Sequence, residues 1–413
     1  MATVAVIGAG FVGLSSAYWL MRDGHAVTLF DPAGPAGGAS YGNAGTFANY
    51  ACIPVNNPSV FRDFHRYLLA ADSPFRLRAS YLPRLMPWLA RFLWHSTPAR
   101  YEAAVTALGQ LLGRAYDGYA DLIRDAGLED LIRRRECLYL YSSERSFRNS
   151  ADSLRLRREA GVACEVLDDS AIRGLEPALA PVFAHGVLFP GSWHLSDPAG
   201  FLTTLHGWLA GRGLRTEARA VTRLAPGGSG VVLVTPDGEE RFDHAVVAAG
   251  IHSRPLAADC GDHLPLDTER GYHVTFGGVI DPIGRPCGWA ERGLYMTPMA
   301  HGLRVAGTVE LAGLDPRKAS GLTELLARSA RDALPALNEP GVVQTDDWLG
   351  FRPTFPDGLP VLGRSRASER VVYAFGHQHV GLTLGGLSGM VVADLLAGRE
   401  PPFDLTAVDP RRF

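Results

Sequence analysis

The stretch from residue 4 to residue 31 constrains the fold more than any other part of this chain. An apolar, β-branched run, VAVI, leads directly into GAGFVG at residues 8–13. Residues 14–21 have the composition of a helix, and a second apolar run at residues 26–30 ends at Asp31. This is the order of a dinucleotide-binding βαβ unit. The pattern predicts a Rossmann-type domain with a bound dinucleotide; a structural turn without a ligand is the alternative.

The residues of the glycine-rich turn have distinct roles in such a unit. Gly8 permits the tight turn, Gly10 lets the backbone approach a pyrophosphate, and Gly13 lets helix and strand pack closely. Phe11 and Val12 begin the helix, whose N-terminal N–H groups face the phosphate charge. We therefore expect this turn to hold the pyrophosphate.

The acid and the loop that follows it extend the predicted site. Asp31 lies about 20 residues after the turn, where a carboxylate accepts hydrogen bonds from both ribose hydroxyls. An acid at this position disfavours the 2′-phosphate of NADP. Residues 37–45, GGASYGNAG, carry almost no bulky side chains, so a large planar group has room to lie against their backbone. A flexible surface loop is the alternative.

Length, charge and cysteine usage narrow the class of protein. At 413 residues the chain exceeds the usual size of one hydrophobic core, so we expect two domains. The formal net charge of −3 provides no basic field for nucleic acid. The 5 cysteines show no C-x-x-C spacing, which disfavours a disulfide framework and favours a reducing compartment. No run reaches the roughly 18 apolar residues of a membrane span, and no secretory signal is recognisable.

The middle of the chain is predicted to contribute most of a second domain, whose segments are inserted between segments of the first. Residues 60–130 read as helical. Within them, residues 74–95 combine aromatic side chains with four arginines, which fits either a helix on a membrane surface or a core-packed helix broken by Pro83 and Pro87. The second interpretation is favoured. The expected location is therefore the cytoplasm, with peripheral contact at the inner membrane as the alternative.

Later segments alternate between the two predicted domains. A buried strand near residues 245–248 ends at Gly250, where the chain returns to the nucleotide. Residues 265–311 alternate between polar and apolar positions, as in an antiparallel sheet. We predict a discontinuous nucleotide-binding domain made of residues 1–75, 195–262 and 340–413. The second domain is predicted to contain residues 76–194 and 263–339.

The C-terminal part supplies a second helix start. The sequence GHQHVGLT, residues 376–383, follows a predicted strand and precedes an apolar helix. A helix that begins near Gly381 presents free N–H groups and a positive dipole end. Glycine at 376 and 381 lets the backbone lie against a flat ring. His377 and His379 supply only two ligands and no Cys or carboxylate cluster accompanies them, so we expect no metal.

Five motifs together carry a resemblance that spans nearly the whole chain. GAGFVG, SYGNAG, VVAAG, GFRPTFPDGLPVLG and FGHQHVGLTLGGLSG resemble the D-amino-acid oxidase superfamily of FAD enzymes, in particular the bacterial D-amino-acid dehydrogenases and hydroxyproline-type relatives. The resemblance implies a mixed α/β and α+β, two-domain FAD-dependent oxidoreductase. Its Rossmann-like FAD domain is built from discontinuous segments, and an antiparallel-sheet domain binds the substrate.

The resemblance also implies the cofactor contacts. Two positions depart from the family pattern: Asp31 replaces the commoner glutamate, and His377 and His379 replace smaller residues. No cysteine lies near Arg352, where relatives that tether flavin covalently have one, so FAD is expected to be non-covalent. The implied FAD contacts are Gly8, Gly10, Phe11, Val12, Gly13, Asp31, Ser40, Asn43, Ala44, Gly45, Gly250, Gly376, His377, Gly381, Leu382 and Thr383.

The implied reaction is oxidation of the Cα–N bond of a D-amino or cyclic imino acid by hydride transfer to FAD N5. D-Proline or 4-hydroxy-D-proline is the substrate that the hydroxyproline-type resemblance favours. By resemblance, Arg352 binds the substrate carboxylate bidentately. Tyr272 and Tyr295 either bind the carboxylate or roof the pocket, or are ordinary sheet tyrosines. His379 either lines the substrate side of the flavin or holds a loop.

Several alternatives remain open at the level of sequence. The electron acceptor is a quinone, an electron carrier or O₂, and an oxidase of glycine or sarcosine type would use O₂. An NAD-dependent dehydrogenase and a non-catalytic flavin-binding protein share parts of the pattern. The oligomeric state is not encoded in any motif that we recognise.

Overall fold

The N-terminal segment folds as the βαβ unit that its sequence predicts. In the computed structural model, which describes residues 1–58 and 73–413, strands β1 (Thr3–Ile7) and β2 (Ala26–Phe30) lie parallel. Helix α1 (Phe11–Arg22) connects them and buries its apolar face. Both strands are buried along almost their whole length, as expected for short β-branched runs inside a parallel sheet.

A six-stranded sheet extends from this unit. Its strand order is β10 (Arg215–Glu217), β2, β1, β14 (His244–Val247), β21 (Val371–Phe375) and β20 (Val361–Arg364). All neighbouring strands are parallel except β20 and β21. The carboxyl ends of β1 and β21 therefore meet at one edge, beside Gly8 and Gly376. The predicted assembly of this sheet from separated segments is confirmed.

Two helices start side by side at this edge. Helix α11 (Gly381–Ala397) packs closely along α1. A Cβ at Gly385 would lie 3.0 Å from the Cβ of Phe11, and a Cβ at Gly389 would lie 2.5 Å from the Ser15 backbone. The contacts advance in the same direction along both helices, so the two N-termini lie next to each other.

A nine-stranded, mostly antiparallel sheet forms the second layer. The strands of its main path, in order, are β19 (Val343–Thr354), β15 (Asp267–Gly277), β18 (Gly302–Leu311), β17 (Leu294–Met299), β16 (Cys287–Trp289), β6 (Cys137–Tyr141), β8 (His185–Phe189) and β7 (Glu165–Asp168), with β4 (Phe75–Leu77) paired to β18. Helix α10 (Leu322–Ala333) packs on one face of this sheet. On the other face, Arg304 of β18 contacts the loop that follows β2.

The remaining elements are small sheets and peripheral helices. The short strands are β3 (Thr46–Phe47), β5 (Ile132–Arg133), β9 (Trp193–Leu195), β11 (Arg223–Gly227), β12 (Gly230–Thr235) and β13 (Gly238–Phe242). The helices are α2 (Leu82–His95), α3 (Pro98–Gly113), α4 (Asp117–Ala126), α5 (Glu144–Asn149), α6 (Ala151–Glu159), α7 (Asp169–Leu175), α8 (Pro198–Ala210) and α9 (Ser253–Asp259). All five cysteines are free.

Two features cut across the predicted domain boundaries. Strand β19 pairs with β15 of the nine-stranded sheet, although residues 340–413 were assigned to the nucleotide-binding domain. Leu108 of α3 and Tyr119 of α4 join the hydrophobic core around β1, although residues 76–194 were assigned to the second domain. The division of the chain into two domains at these boundaries stays a prediction.

The helical prediction for residues 60–130 holds for α2, α3 and α4 and is wrong for β4, where the chain is extended. Residues 60–72 lie outside the described residues. The expectation that Pro83 and Pro87 break the helix was wrong, because α2 runs through both. Pro83 lies in the first turn, where its missing N–H leaves no helical bond unmade. In the described part of the chain, no helix is long and apolar enough to span a membrane.

Helix α2 is packed on one side only. Leu85 and Trp88 are buried against the sheet. Met86, Leu93 and Trp94 are 51%, 42% and 61% exposed. The core-packed interpretation of residues 74–95 therefore describes one face of this helix, and contact of the other face with a membrane stays a prediction.

Candidate active site

The glycine-rich turn leaves no room for side chains. Gly8 has a φ of +110°, in the region that favours glycine. A Cβ at Gly13 would overlap the carbonyl oxygen of Gly8, and a Cβ at Gly10 would lie 2.8 Å from the Ser40 hydroxyl. Gly250, with a φ of +57°, follows β14 beside this turn. The backbone is thus open to a ligand at the helix start.

Asp31 is held next to the turn by two backbone groups. One carboxylate oxygen accepts a 2.8 Å hydrogen bond from the Ala9 N–H, and the other accepts a 2.9 Å bond from the Ala33 N–H. Each oxygen of a carboxylate has a second acceptor site. The arrangement is compatible with the predicted ribose contact, which stays a prediction.

The loop after β2 is clamped rather than free. The Asn43 amide donates to the Ser40 carbonyl over 2.6 Å, and its oxygen accepts from the Gly45 N–H over 2.7 Å. Arg304 of β18 donates to the carbonyl oxygens of Tyr41 and Asn43. Ala44 lies within this folded loop, so the loop is a shaped backbone surface between the two large sheets.

Both helix starts carry unpaired N–H groups. The first helical hydrogen bond of α11 runs from the Leu384 N–H to the Val380 carbonyl. The N–H groups of Gly381, Leu382 and Thr383 have no acceptor within residues 1–58 and 73–413. Helix starts of this kind bind anionic groups through free N–H groups and the positive end of the helix dipole.

The predicted side chains at the start of α11 are engaged by the protein. The His377 ring lies 2.8 Å from the Ser388 hydroxyl, and burial lowers the pKa of His377 to about 3. The Thr383 hydroxyl accepts a 2.9 Å hydrogen bond from the Ala48 N–H. The Thr383 O–H is still available to donate, and the cofactor contacts of His377 and Thr383 stay predictions.

The segment that carries Arg352 joins this helix start. Thr354, at the end of β19, pairs with His377, and the Pro353 carbonyl accepts a 3.0 Å bond from the Gln378 N–H. This contact brings Arg352 and His379 close together, and the positive charge of Arg352 contributes to the lowered pKa of His379. Among the described residues, no three His, Cys, Asp or Glu side chains are grouped as metal ligands.

Two facing glycines of the nine-stranded sheet leave space for the side chains of Arg352 and Trp348 to pack on the backbone. Gly271 of β15 lies opposite Gly350 of β19. A Cβ at Gly271 would overlap the Arg352 guanidinium, and a Cβ at Gly350 would overlap the ring of Trp348. The guanidinium and the indole therefore lie flat on the sheet, and a side chain at either glycine would displace one of them.

Arg352 is fixed at one nitrogen only. Its Nη1 donates a 3.1 Å hydrogen bond to the carbonyl oxygen of Thr308. Thr308 has a φ of +58°, which β-branched residues rarely adopt. The other guanidinium N–H groups have no acceptor in the part of the chain that the structure describes. The strained backbone at Thr308, within β18, thus anchors an arginine whose remaining donors are available to a ligand.

The charges around Arg352 are perturbed by burial. Burial lowers the pKa of the Arg352 guanidinium, and the nearby Glu269 carboxylate partly offsets this effect. Burial raises the pKa of Glu269 to about 7 against the opposing charge of Arg352. Burial, with a smaller contribution from Arg352, lowers the pKa of His379 to about 4, so this ring is neutral at pH 7.

The two predicted tyrosines lie on opposite faces of the nine-stranded sheet. Tyr272 is 1% exposed and packs in the core under α10, where its hydroxyl donates to Glu310 and accepts a 3.0 Å bond from the Ala319 N–H. The expected substrate contact for Tyr272 is therefore corrected: this is a structural tyrosine. Tyr295 pairs with Ala306, which pairs with His273, so it shares the face of Arg352.

Sequence reasoning missed Glu269 and Thr308. Glu269 lies directly opposite Arg352 across β15 and β19. Residues 265–311 were predicted to form sheet, but no strand within them was assigned a face; β15 begins at Asp267. Period-two alternation back from Gly271 would have placed Glu269 on the same face. No local signal marks the unusual backbone of Thr308.

The fold and the converging glycine-rich segments define a flavin-dependent oxidoreductase. The chain belongs to the FAD dependent oxidoreductase (DAO) family, and the sequence model of this family matches residues 3–395. It is 38% identical over 416 residues to the D-amino-acid oxidase of Bradyrhizobium diazoefficiens, covering 99% of this chain and 98% of that protein. It is 33% identical over 420 residues to a D-amino acid dehydrogenase of Methylobacterium sp. (strain 4-46), covering 99% of each.

The comparison with solved structures supports the same fold. Glycine oxidase from Geobacillus kaustophilus superimposes with a TM-score of 0.76 at 22% identity, covering 100% of both chains. The L-proline dehydrogenase from P. horikoshii superimposes with a TM-score of 0.73 at 16% identity. The expected two-domain FAD oxidoreductase fold and the resemblance to the D-amino-acid oxidase superfamily are confirmed.

The residues at the sheet edge fit FAD. A pyrophosphate needs close backbone approach and free N–H groups. Gly8 and Gly10 leave the backbone open, and the N–H groups of Gly10, Val12 and Gly13 have no acceptor among the described residues. A second set of unpaired N–H groups, at Gly381, Leu382 and Thr383, suits the partial negative charge of a flavin ring. FAD is the cofactor of this family, and both sets lie at the edge where α1 and α11 begin.

Proposed function

We propose that this chain oxidises the Cα–N bond of a D-amino acid or cyclic imino acid. Bound FAD supplies the hydride acceptor. The observation that carries the proposal is Arg352, buried and laid flat on Gly271, with guanidinium donors left over for a ligand. A planar guanidinium matches a carboxylate in a bidentate pair. The names of the sequence relatives, D-amino-acid oxidase and D-amino acid dehydrogenase, support the same substrate class.

The predicted site residues of the chain act by positioning the substrate. Arg352 orients the carboxylate, and His379 lies close to it in the loop before α11. Tyr295 lies on the same face of the sheet, two strands away from β15. Holding reactants in this way supplies several kcal/mol of a reaction barrier. We propose D-proline or 4-hydroxy-D-proline as the preferred substrate, in keeping with the resemblance to hydroxyproline-type relatives.

The substrate class is tested by the colour of the flavin. Under anaerobic conditions we expect D-proline and 4-hydroxy-D-proline to bleach the holoenzyme faster than D-alanine, glycine or sarcosine, and L-proline to leave it yellow. Faster bleaching by glycine or sarcosine would instead favour an oxidase of that type. A flavin that no amino acid bleaches would identify a non-catalytic flavin-binding protein.

The electron acceptor is a separate proposal. The oxidase relative favours O₂, whereas the dehydrogenase relatives favour a quinone or another carrier. Readmission of air to the bleached enzyme separates the two, because only an oxidase regains its colour rapidly without added carrier. We propose the cytoplasm as the location, given the free cysteines, with peripheral contact of α2 at the inner membrane as the alternative.

Attachment of the cofactor gives a further expected result. No cysteine lies near Arg352 in the sequence, so acid precipitation of the holoenzyme should release all yellow chromophore to the supernatant. Absorbance of supernatant and washed pellet measures the partition, with a protein-free buffer blank as control. Colour retained by the pellet would show a covalent link and contradict non-covalent binding.

A further inference from the structure

An α-amino acid carries a carboxylate and an ammonium group on the same carbon. A site that binds this zwitterion therefore needs a cation and an anion side by side. Residues directly opposite each other on neighbouring antiparallel strands have Cβ atoms about 5 Å apart on one face of the sheet. Arg352 and Glu269 are such a pair, on β19 and β15.

The fold does not satisfy all the hydrogen-bonding capacity of the Glu269 carboxylate. Its side chain is 3% exposed, and its Oε2 atom has no hydrogen-bond partner among the described residues. Arg352 acts on Glu269 by charge and not through a hydrogen bond between the two side chains. An unpaired buried carboxylate oxygen is costly, so its presence beside the carboxylate-binding arginine calls for a partner.

The other charged groups near Glu269 are accounted for. Asp267 lies two residues earlier on the same face, and its carboxylate accepts from the Tyr81 hydroxyl and the Thr268 N–H. His379, from the loop before α11, is neutral at pH 7. On the opposite face, Arg270 pairs with Glu310. Arg352 is thus the cation that faces Glu269, and a bound carboxylate would neutralise it.

We propose that Glu269 binds the substrate ammonium group and accepts its proton before the Cα–N bond is oxidised. This inference rests on the proposed function. One N–H bond breaks, its electron pair stays on nitrogen as the lone pair of the free amine, and the proton moves to the Glu269 carboxylate. An ammonium and a carboxylate become an amine and a carboxylic acid, so two buried charges disappear together.

The acidity of Glu269 is suited to this transfer. Its pKa, raised to about 7 by burial, leaves a substantial fraction ionised at neutral pH and able to accept a proton. A cyclic imino acid carries two protons on its secondary ammonium, and it loses one of them in the same step. Only the free amine has the lone pair that oxidation of the Cα–N bond requires.

Matched ligands separate this role from that of Arg352. D-Proline carries both groups, whereas cyclopentanecarboxylate has the same ring and carboxylate without the nitrogen. For Glu269→Gln we expect a dissociation constant for cyclopentanecarboxylate, measured from the flavin spectrum, within about threefold of wild type, because Arg352 is intact. In anaerobic stopped-flow at pH 7, the limiting rate of flavin reduction by D-proline should fall about 100-fold, the scale of a lost general base.

The pH profile supplies a second readout. In the wild type, the reduction rate should rise through about pH 7 as Glu269 ionises. This rise is the limb of the pH profile. Glu269→Gln should lose the limb, and Glu269→Asp should keep a limb but with a lower reduction rate. Asp267→Asn is the control, because it removes a buried carboxylate from the same face and should leave the limb in place.

The outcomes distinguish the two levels of inference. If Glu269→Gln weakens both ligands equally and keeps the wild-type pH profile, Glu269 is only a counter-charge and the proposal is overturned. It is also overturned if the wild type lacks the limb, or if Asp267→Asn abolishes it. If Arg352→Ala leaves binding of both ligands unchanged, the proposed function itself fails. If Glu269→Gln does not retain flavin, the pH dependence of flavin reduction in Glu269→Asp is the test. A reduction rate that no longer rises with pH in this variant overturns the proposal.

Discussion

Replacing Arg352 by alanine is expected to lower kcat/KM for the amino-acid substrate by about 30-fold or more. The substrate carboxylate would then be buried without its partner. Truncating one partner of a buried, hydrogen-bonded charge pair costs about 2–5 kcal/mol, and each 1.4 kcal/mol is about a factor of ten. Steady-state kinetics with D-proline measure this loss, while flavin content should stay near that of the wild type.

Two further variants test how the guanidinium acts. Arg352→Lys should recover only part of the activity, because a point charge does not reproduce the planar fork. Gly271→Ala keeps the arginine but places a methyl group where the guanidinium lies, so it should also lower kcat/KM. Oxidation of pyrrolidine, which lacks the carboxylate, should be almost insensitive to Arg352→Ala. Unchanged amino-acid turnover, or loss of flavin instead, would reject Arg352 as the carboxylate-binding residue.

Substitution of Gly13 by valine is expected to weaken FAD binding by up to about 100-fold. Even a Cβ at this position would overlap the Gly8 carbonyl oxygen, and backbone does not move as readily as a side chain. Overpacking costs up to about 3 kcal/mol, which corresponds to about 100-fold in FAD affinity if the strain falls on the bound state. Flavin absorbance per polypeptide after purification, and titration of apoprotein with FAD, measure the effect.

Gly207→Val is a matched control for Gly13→Val. Gly207 of α8 is exposed, and a Cβ added there would have no described atom within 4 Å outside its own helix turn. Gly207→Val should therefore retain normal flavin. Full flavin occupancy in Gly13→Val would show that the pyrophosphate turn has been assigned to the wrong residues.

Short sequence patterns correctly predicted the secondary-structure elements that are encoded by residues close together in the chain. The βαβ unit, helix α10 and the start of α11 are encoded by glycine positions and by helical periodicity within short windows. Arg352 was identified because its flanking motif, GFRP, resembles the family. These features depend little on which other segments pack around them.

The errors arose where tertiary packing decides the result. Residues 265–311 were predicted to be β-rich, and DTER does lie in β15. Its charged side chains are nevertheless buried, because Arg270 pairs with Glu310 and Asp267 accepts a hydrogen bond from Tyr81, and these partners are distant in sequence. The face of Tyr272 depends on strand parity and on which side α10 covers, and neither is visible locally. The placement of β19 depends on pairing with a strand about 75 residues away, which periodicity cannot reveal.

The strand order of the six-stranded sheet has a consequence for biosynthesis. Strand β14 lies between β1, at the N-terminus, and β21, which ends at Phe375. During translation β1 can pair with β2 early but must wait for β14, its partner on the other side, and the start of α11 is made later still. Long-range pairing of this kind slows folding and leaves strand edges exposed in the meantime. FAD can join both helix starts only after synthesis has passed Gly381, about 370 residues beyond the first helix start at Phe11.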